Sequence, residues 1–96
     1  MAEMTATEVL QRMIDRFDGG RAWCQGRFRR VSDGRLSWCL IGALNAETQS
    51  LNLREEVKER LFRASGCNQT ISRWNDEQPH FGTVRAALLA AIEDGK

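Results

Sequence analysis

Four side chains supply the chemistry that a hydrolytic enzyme could use: a thiol, an imidazole, a carboxamide and a carboxylate. Cys39 is expected at the first turn of a helix, where the helix dipole and free backbone N–H groups lower the pKa of a thiol. Gln25 is a candidate oxyanion donor, and His80 is a candidate base that Asp76 or Asn75 would orient. A cysteine-dependent hydrolase that uses Cys39 and His80 is therefore one hypothesis.

The same residues also fit a purely structural interpretation, which the sequence favours. An alanine-rich helical pattern follows His80, where a hydrolase of this kind needs a strand to carry the partner of its base. Cys39 is then a small buried residue, while Gln25 and Asn75 hydrogen-bond loop backbone. Asp76 precedes the last helix, where a carboxylate is electrostatically favoured. The expected protein is accordingly not an enzyme.

Metal-ligating residue types are present, but their spacing is not that of a metal site. Cys24, Cys39, Cys67 and His80 are separated by 15, 28 and 13 residues, with no Cys-x-x-Cys pair. We therefore expect no metal and no cofactor. Three cysteines are an odd number for a disulfide scaffold, so reduced thiols are expected. Together with the absence of a visible secretory signal, they indicate a cytoplasmic location.

Positive charge is concentrated in one short segment, although the formal net charge of the chain is only +1. Residues 21–35 contain a single acidic residue, Asp33, and five arginines: Arg21, Arg27, Arg29, Arg30 and Arg35. Arginines interleaved with an aromatic residue, here Phe28, are typical of surfaces that bind nucleic-acid phosphates. Because the overall charge is near neutral and Phe28 is expected to point into the core, nucleic acid is kept as an alternative. The preferred expectation is a protein partner held by Arg27, Arg29, Arg30 and Arg35.

The N-terminal half of the chain predicts one helix and one hairpin-like segment. Thr5 and Glu8 fit a capping box ahead of a helix over residues 6–18, with apolar residues at helical spacing. Residues 21–37 show partial alternation around an Asp33-Gly34 turn, a hairpin signal. Since the alternation is imperfect, an ordered loop is the alternative.

Three more helices are predicted after the hairpin. Ser37 is expected to cap a helix over about residues 38–47, in which Gly42 would permit a close approach of another group. A third helix begins with Asn52 as its cap and ends at Gly66. The only proline suits the entry to the last helix. The predicted fold is mainly α, with α+β as its variant: one compact four-helix domain over residues 1–96.

All three tryptophans fall at junctions between these elements. Trp23, Trp38 and Trp74 each flank an irregular segment, and a buried indole fastens a loop to a core through its large area. We expect the three rings to share one aromatic-lined region. Residues 70–74 are expected to form one helical turn that Asn75-Asp76 breaks.

Three short motifs resemble the DUF6197 family, a group of small bacterial and phage proteins without an assigned function. These are a tryptophan followed two residues later by Gln-Gly, a Cys-x-x-Gly-Ala-Leu helix start, and a Trp-Asn-Asp step before the last helix. They fall here at residues 23–26, 39–44 and 74–76. The resemblance spans about residues 7–92, although the segment between Asp33 and Ser37 is shorter than in the family. It implies a family and no activity.

The expected function is that of a small, non-enzymatic binding module with an unidentified partner. No apolar run approaches the length of about 20 residues that crosses a bilayer, so no membrane partner is expected. The cysteine hydrolase and the nucleic-acid binder remain as the two alternatives.

Overall fold

Five α-helices and one two-stranded hairpin make up the chain in the computed structural model, which describes residues 4–94. The elements are α1 Ala6–Phe17, β1 Arg29–Ser32, β2 Arg35–Trp38, α2 Leu40–Glu47, α3 Leu51–Ser65, α4 Ile71–Asp76 and α5 Phe81–Asp94. A short 3-10 turn, Asp18–Gly20, follows α1. The mainly α class with a small hairpin is confirmed, and the fifth helix is the short α4. Within residues 4–94, no helix has the length and apolar character that a membrane span requires.

Helix α1 forms where the sequence predicts it, because its capping box satisfies backbone donors at its start. The Thr5 Oγ1 accepts a hydrogen bond from the Glu8 N–H at 3.2 Å, and the Glu8 Oε1 accepts one from the Thr5 N–H at 3.3 Å. The apolar face of α1 packs against α2, α3 and α5. Its residues are fully buried in the core: Val9, Leu10, Met13 and Phe17.

The hairpin is confirmed, with a two-residue turn. Ser32 pairs with Arg35, so Asp33 and Gly34 form the turn, with φ values of 53° and 77°. Positive φ at both positions is the geometry that suits the right-handed twist of a hairpin, and an Asp-Gly pair tolerates it. The backbone of residues 22–24 adds a further bridge beside Trp38: the Cys24 N–H donates to the Trp38 carbonyl at 2.9 Å.

The predicted start of α2 is wrong by two residues. Ser37 belongs to β2, where it pairs with Arg30, and the cap is Cys39, whose Sγ accepts a hydrogen bond from the Gly42 N–H at 3.4 Å. Strand pairing holds Ser37 and Trp38 extended, so the helix begins only after the strand ends. The close approach predicted at Gly42 is confirmed: a Cβ there would lie 1.9 Å from the Phe28 carbonyl oxygen.

Two further boundaries differ from the predicted ones. Ser50, and not Asn52, caps α3 by accepting a hydrogen bond from the Leu53 N–H at 3.2 Å, while Gly66 ends the helix in the left-handed region as predicted. Thr70 caps α4, which continues through Asn75-Asp76. Those two residues do not break the helix, because their side chains bond to other segments of the chain and do not compete for their own backbone.

A substitution at Gly42 tests the close approach. Alanine normally stabilises a helix interior by about 1 kcal/mol relative to glycine. At Gly42 its Cβ would meet the Phe28 carbonyl, so we expect Gly42→Ala to lower the free energy of unfolding by about 2 kcal/mol. Chemical denaturation measures this change. Gly82→Ala in α5 is the control, since its Cβ meets only the movable His80 ring; equal stability of the two variants would contradict the prediction.

Candidate functional site

The buried amide of Asn75 joins three segments that are far apart in the sequence. Asn75 is 0% exposed. Its Oδ1 accepts hydrogen bonds from the Trp23 Nε1–H at 2.8 Å and from the Leu40 N–H, at the start of α2, at 3.2 Å. Its Nδ2 donates to the Cys24 carbonyl at 3.1 Å and to the Asp76 Oδ1 at 3.2 Å. The amide is therefore fully used by the fold.

The side chain of Gln25 extends this cluster. Its Nε2 donates to the Asn75 and Gln78 carbonyls, both at 2.9 Å. The Asp76 Oδ1 accepts from the Gly26 N–H at 2.8 Å. The prediction that Gln25 and Asn75 bond loop backbone is confirmed. Both N–H groups of the Gln25 amide are occupied, so the proposed oxyanion donor already has acceptors within the protein.

Cys39 caps α2 from a buried position. Its side chain is only 2% exposed. Burial raises the pKa of the Cys39 thiol above its usual value, although the Gly42 and Ile41 N–H groups act in the opposite direction. The neighbouring Cys24 and Asp76 raise the pKa further. The interpretation of Cys39 as a small buried residue is confirmed. The lowered pKa that the hydrolase hypothesis requires is contradicted, because desolvation outweighs the effect of the N–H groups.

The structure brings only two members of the proposed catalytic set to one cleft. A cleft of about 290 Å³ is lined by Gly26, Arg27, Phe28, Cys39, Ser72 and Asp76. His80 is not among the described residues that line it; it is exposed ahead of α5, and its carbonyl accepts from the Thr83 Oγ1–H at 3.0 Å.

The ligands of the zinc hypothesis are also apart. Between residues 4 and 94, the structure contains no group of three or more His, Cys, Asp or Glu side chains that could hold a metal ion. The zinc set Cys24, Cys39, Cys67 and His80 is therefore not assembled.

The five arginines of residues 21–35 are all exposed on or beside the hairpin. Within residues 4–94, none of their guanidinium groups forms an ion pair or a hydrogen bond. Other arginines do have partners: Arg16 pairs with Glu47, and Arg60 with Glu56. The arginines of the hairpin are therefore available for an external partner.

Apolar side chains are exposed among these arginines. Phe28 is 60% exposed, which corrects the expectation that it points into the core. Val31 and Leu36 are 66% and 45% exposed, and they pair across the strands, so they share one face of the hairpin. We define the hairpin surface as Arg27, Phe28, Arg29, Arg30, Val31, Arg35 and Leu36.

Each tryptophan packs against the core at a junction between elements, but the three rings do not form the single region that was expected. The Trp23 ring contacts the Phe81 ring at a centroid distance of 5.9 Å. The Trp38 ring instead lies under the Arg16 guanidinium, 4.9 Å from its centroid. Trp74 packs against the core from α4. Each ring fastens a junction to the core, with a different partner at each.

An apolar groove that sequence reasoning missed lies between α3 and α4. Its volume is about 630 Å³, and its lining includes Phe28, Ile41, Phe62 and Ile71. A second apolar face on α3 was not expected, since the core face alone accounts for the helical spacing of its apolar residues. The available signal was the adjacency of Leu61 and Phe62: neighbours on a helix point about 100° apart, and only Leu61 is buried.

Comparison with known proteins identifies the family without adding an activity. The model of DUF6197, a family of unknown function, matches residues 1–94, so the chain belongs to this family. No curated protein and no solved structure matches the chain. The motif residues Trp23, Gln25, Asn75 and Asp76, which carried the resemblance, are the ones that hydrogen-bond in the Asn75 cluster.

Removal of the Asn75 amide tests the structural role of the cluster. Asn75→Ala would leave the Trp23 Nε1–H, the Leu40 N–H and the Cys24 carbonyl without this partner in a buried region. We expect the free energy of unfolding to fall by about 3 kcal/mol or more, measured by urea denaturation. Asn52→Ala is the control, because Asn52 is exposed on α3. A loss below 1 kcal/mol at Asn75 would show that the cluster does not hold the fold together.

The raised pKa of Cys39 gives a prediction with a defined sign. Below the ordinary value of 9.0, the thiol is protonated in both the folded and the unfolded chain. As the pH rises above this value, the thiol ionises first in the unfolded chain, so the stability of the parent protein should fall more steeply with pH than that of Cys39→Ala. Chemical denaturation over a series of pH values measures this difference.

Native Cys39 should also react slowly with a thiol reagent, in contrast to half-buried Cys67. Fast stoichiometric labelling of Cys39 at neutral pH would support the hydrolase instead.

Proposed function

We propose that this protein is a non-enzymatic binding module whose hairpin surface contacts an acidic protein partner. The observation that carries the proposal is the set of unpaired guanidinium groups on the hairpin. Arginine side chains without partners contribute no ion pair or hydrogen bond to the stability of the fold. Their guanidinium groups are suited to bidentate contacts with carboxylates.

The exposed apolar residues favour a protein over a polyanion. Phe28, Val31 and Leu36 lie among the arginines and are all at least 45% exposed. Protein interfaces combine apolar area with arginine, and their strongest contacts are enriched in arginine and aromatic residues. A phosphate backbone would use the charges but would leave Val31 and Leu36 in water.

Nucleic acid is the second candidate, and the same unpaired arginines favour it. Two short strands that carry Arg29, Arg30 and Arg35 can lie along a groove or a single strand, with Phe28 available for stacking. Two acidic side chains, Asp18 and Asp33, line clefts beside Arg21 and Arg35. They weaken the positive potential for any anionic partner, which disfavours a polyanion that binds by charge alone more than a protein that also covers the apolar side chains.

A hydrolase is a weaker proposal than either binding function. It would need the Cys39 thiolate, yet burial favours the protonated thiol. It would also need His80 beside that sulfur, whereas His80 lies outside the cleft that Cys39 lines.

We further propose a cytoplasmic location, which the three free thiols support, since reduced cysteines are typical of that compartment.

Neutralising the hairpin separates the two binding functions. We expect the fluorescence anisotropy of labelled single- or double-stranded nucleic acid to stay unchanged when the parent protein is added at low salt. It should capture an acidic protein from its source cells in a salt-dependent manner. Arg27→Gln, Arg29→Gln and Arg30→Gln combined should abolish this capture without lowering the melting temperature, because these side chains have no partners in the fold.

The matched control combines Arg12→Gln and Arg85→Gln, which neutralise two exposed arginines outside the hairpin. If the control variant loses the partner as well, general charge explains the capture and the hairpin surface is not the site. If nucleic acid binds the parent, the triple variant should reduce the slope of log K against log salt by about three units, and the second candidate then replaces the first.

A further inference from the structure

We propose that the groove between α3 and α4 binds a short peptide segment of the partner that contains two apolar side chains and a basic side chain directed at the carboxylates of α3. The inference rests on the proposed function, because it describes the chemistry of a protein partner. It adds a second surface, since the groove extends beyond the hairpin arginines.

Aromatic side chains form the two walls of the groove. Phe62 on α3 is 37% exposed and Phe28 is 60% exposed, while Ile41 and the buried Ile71 line the floor between the two walls. The volume of about 630 Å³ is within the range of ligand sites. Apolar area of this kind, concave and bordered by polar residues, is typical of a contact site. It accommodates apolar side chains of a peptide.

The α3 wall favours a basic residue. Glu55, Lys58 and Glu59 line the groove on the same helical face as Phe62. Lys58 pairs with Glu55 at 3.1 Å, and Glu59 pairs with Arg63 at 2.9 Å, which leaves two carboxylates against one ammonium in the lining. Exposed pairs of this kind contribute little to stability. A basic side chain of the peptide can therefore approach the two carboxylates at little cost.

The smaller cleft beside Cys39 adds no net charge to the groove. Phe28 and Ser72 line both the groove and this cleft, so the two depressions are adjacent. Arg27 and Asp76 both line the smaller cleft, so one positive and one negative side chain offset each other there. The charge preference of the groove is therefore set by the carboxylates of α3.

Selection from a random dodecapeptide phage library tests the proposal on the full chain. We expect enriched peptides that contain two apolar residues and a neighbouring basic residue. Phe62→Lys should weaken their binding at least about tenfold, measured by fluorescence polarisation. Leu89→Lys on α5 is the matched control, since Leu89 is 38% exposed and lies away from the groove lining; it should leave binding unchanged.

Charge reversal gives a second variant that does not depend on the apolar wall. Selection on the Glu55→Lys variant should replace the basic residue of the enriched peptides by a neutral or acidic one. No enrichment above the starting library overturns the proposal, as does equal binding of the enriched peptides to Phe62→Lys and Leu89→Lys. Circular dichroism verifies that both variants fold.

The same experiments distinguish a failure of the groove from a failure of the hairpin surface. Phe62 and Glu55 lie outside the hairpin surface. If selection fails while the triple arginine variant still loses its acidic partner, the groove proposal is wrong and the proposed function stands. If selection succeeds while no arginine-dependent partner is captured, the groove is the contact site and the hairpin surface is not.

Discussion

The hydrogen bonds of one buried amide determine how the loop before the hairpin, the start of α2 and helix α4 meet. Asn75 holds the loop before the hairpin through Trp23 and Cys24, and it holds the start of α2 through the Leu40 N–H. A buried amide must find all of its partners inside the protein, because each unmet group costs about 1–3 kcal/mol. Strands β1 and β2 are exposed on both faces, so the position of the hairpin depends on this anchor, on the backbone bridge between residues 22–24 and Trp38, and on the Trp38–Arg16 contact at its base.

The cluster also explains why the residues that could perform catalysis do not form a catalytic arrangement. The Gln25 amide and the Asp76 carboxylate are engaged with loop backbone, and the Cys39 sulfur replaces the oxygen that usually caps a helix. A thiol is a weak acceptor, and it accepts this bond while staying protonated and buried. The polar residues around the tryptophans thus stabilise the fold, whereas the exposed arginines of the hairpin have no partner within residues 4–94.

Local signals in the sequence predicted what local interactions decide. The capping box at Thr5, the Asp33-Gly34 turn and the end of α3 at Gly66 all form as expected. The errors have non-local causes: strand pairing delays the start of α2 past Ser37, and burial raises the pKa of Cys39. For the site, the exposed arginines follow from their clustering in the sequence. The groove does not, because it exists only where α3, α4 and Phe28 meet in space.

Gly42 connects the structural cluster to the two exposed surfaces. The absence of a side chain at Gly42 allows the Phe28 backbone to lie against α2, where the Phe28 carbonyl accepts from the Cys39 N–H at 3.1 Å. That contact fixes the backbone but leaves the Phe28 ring outside, as one wall of the groove and as the first apolar residue of the hairpin surface. A segment whose backbone is already held in place loses little backbone freedom when a partner covers it. The rigid cluster therefore preorganises the surface that the proposed partner would contact.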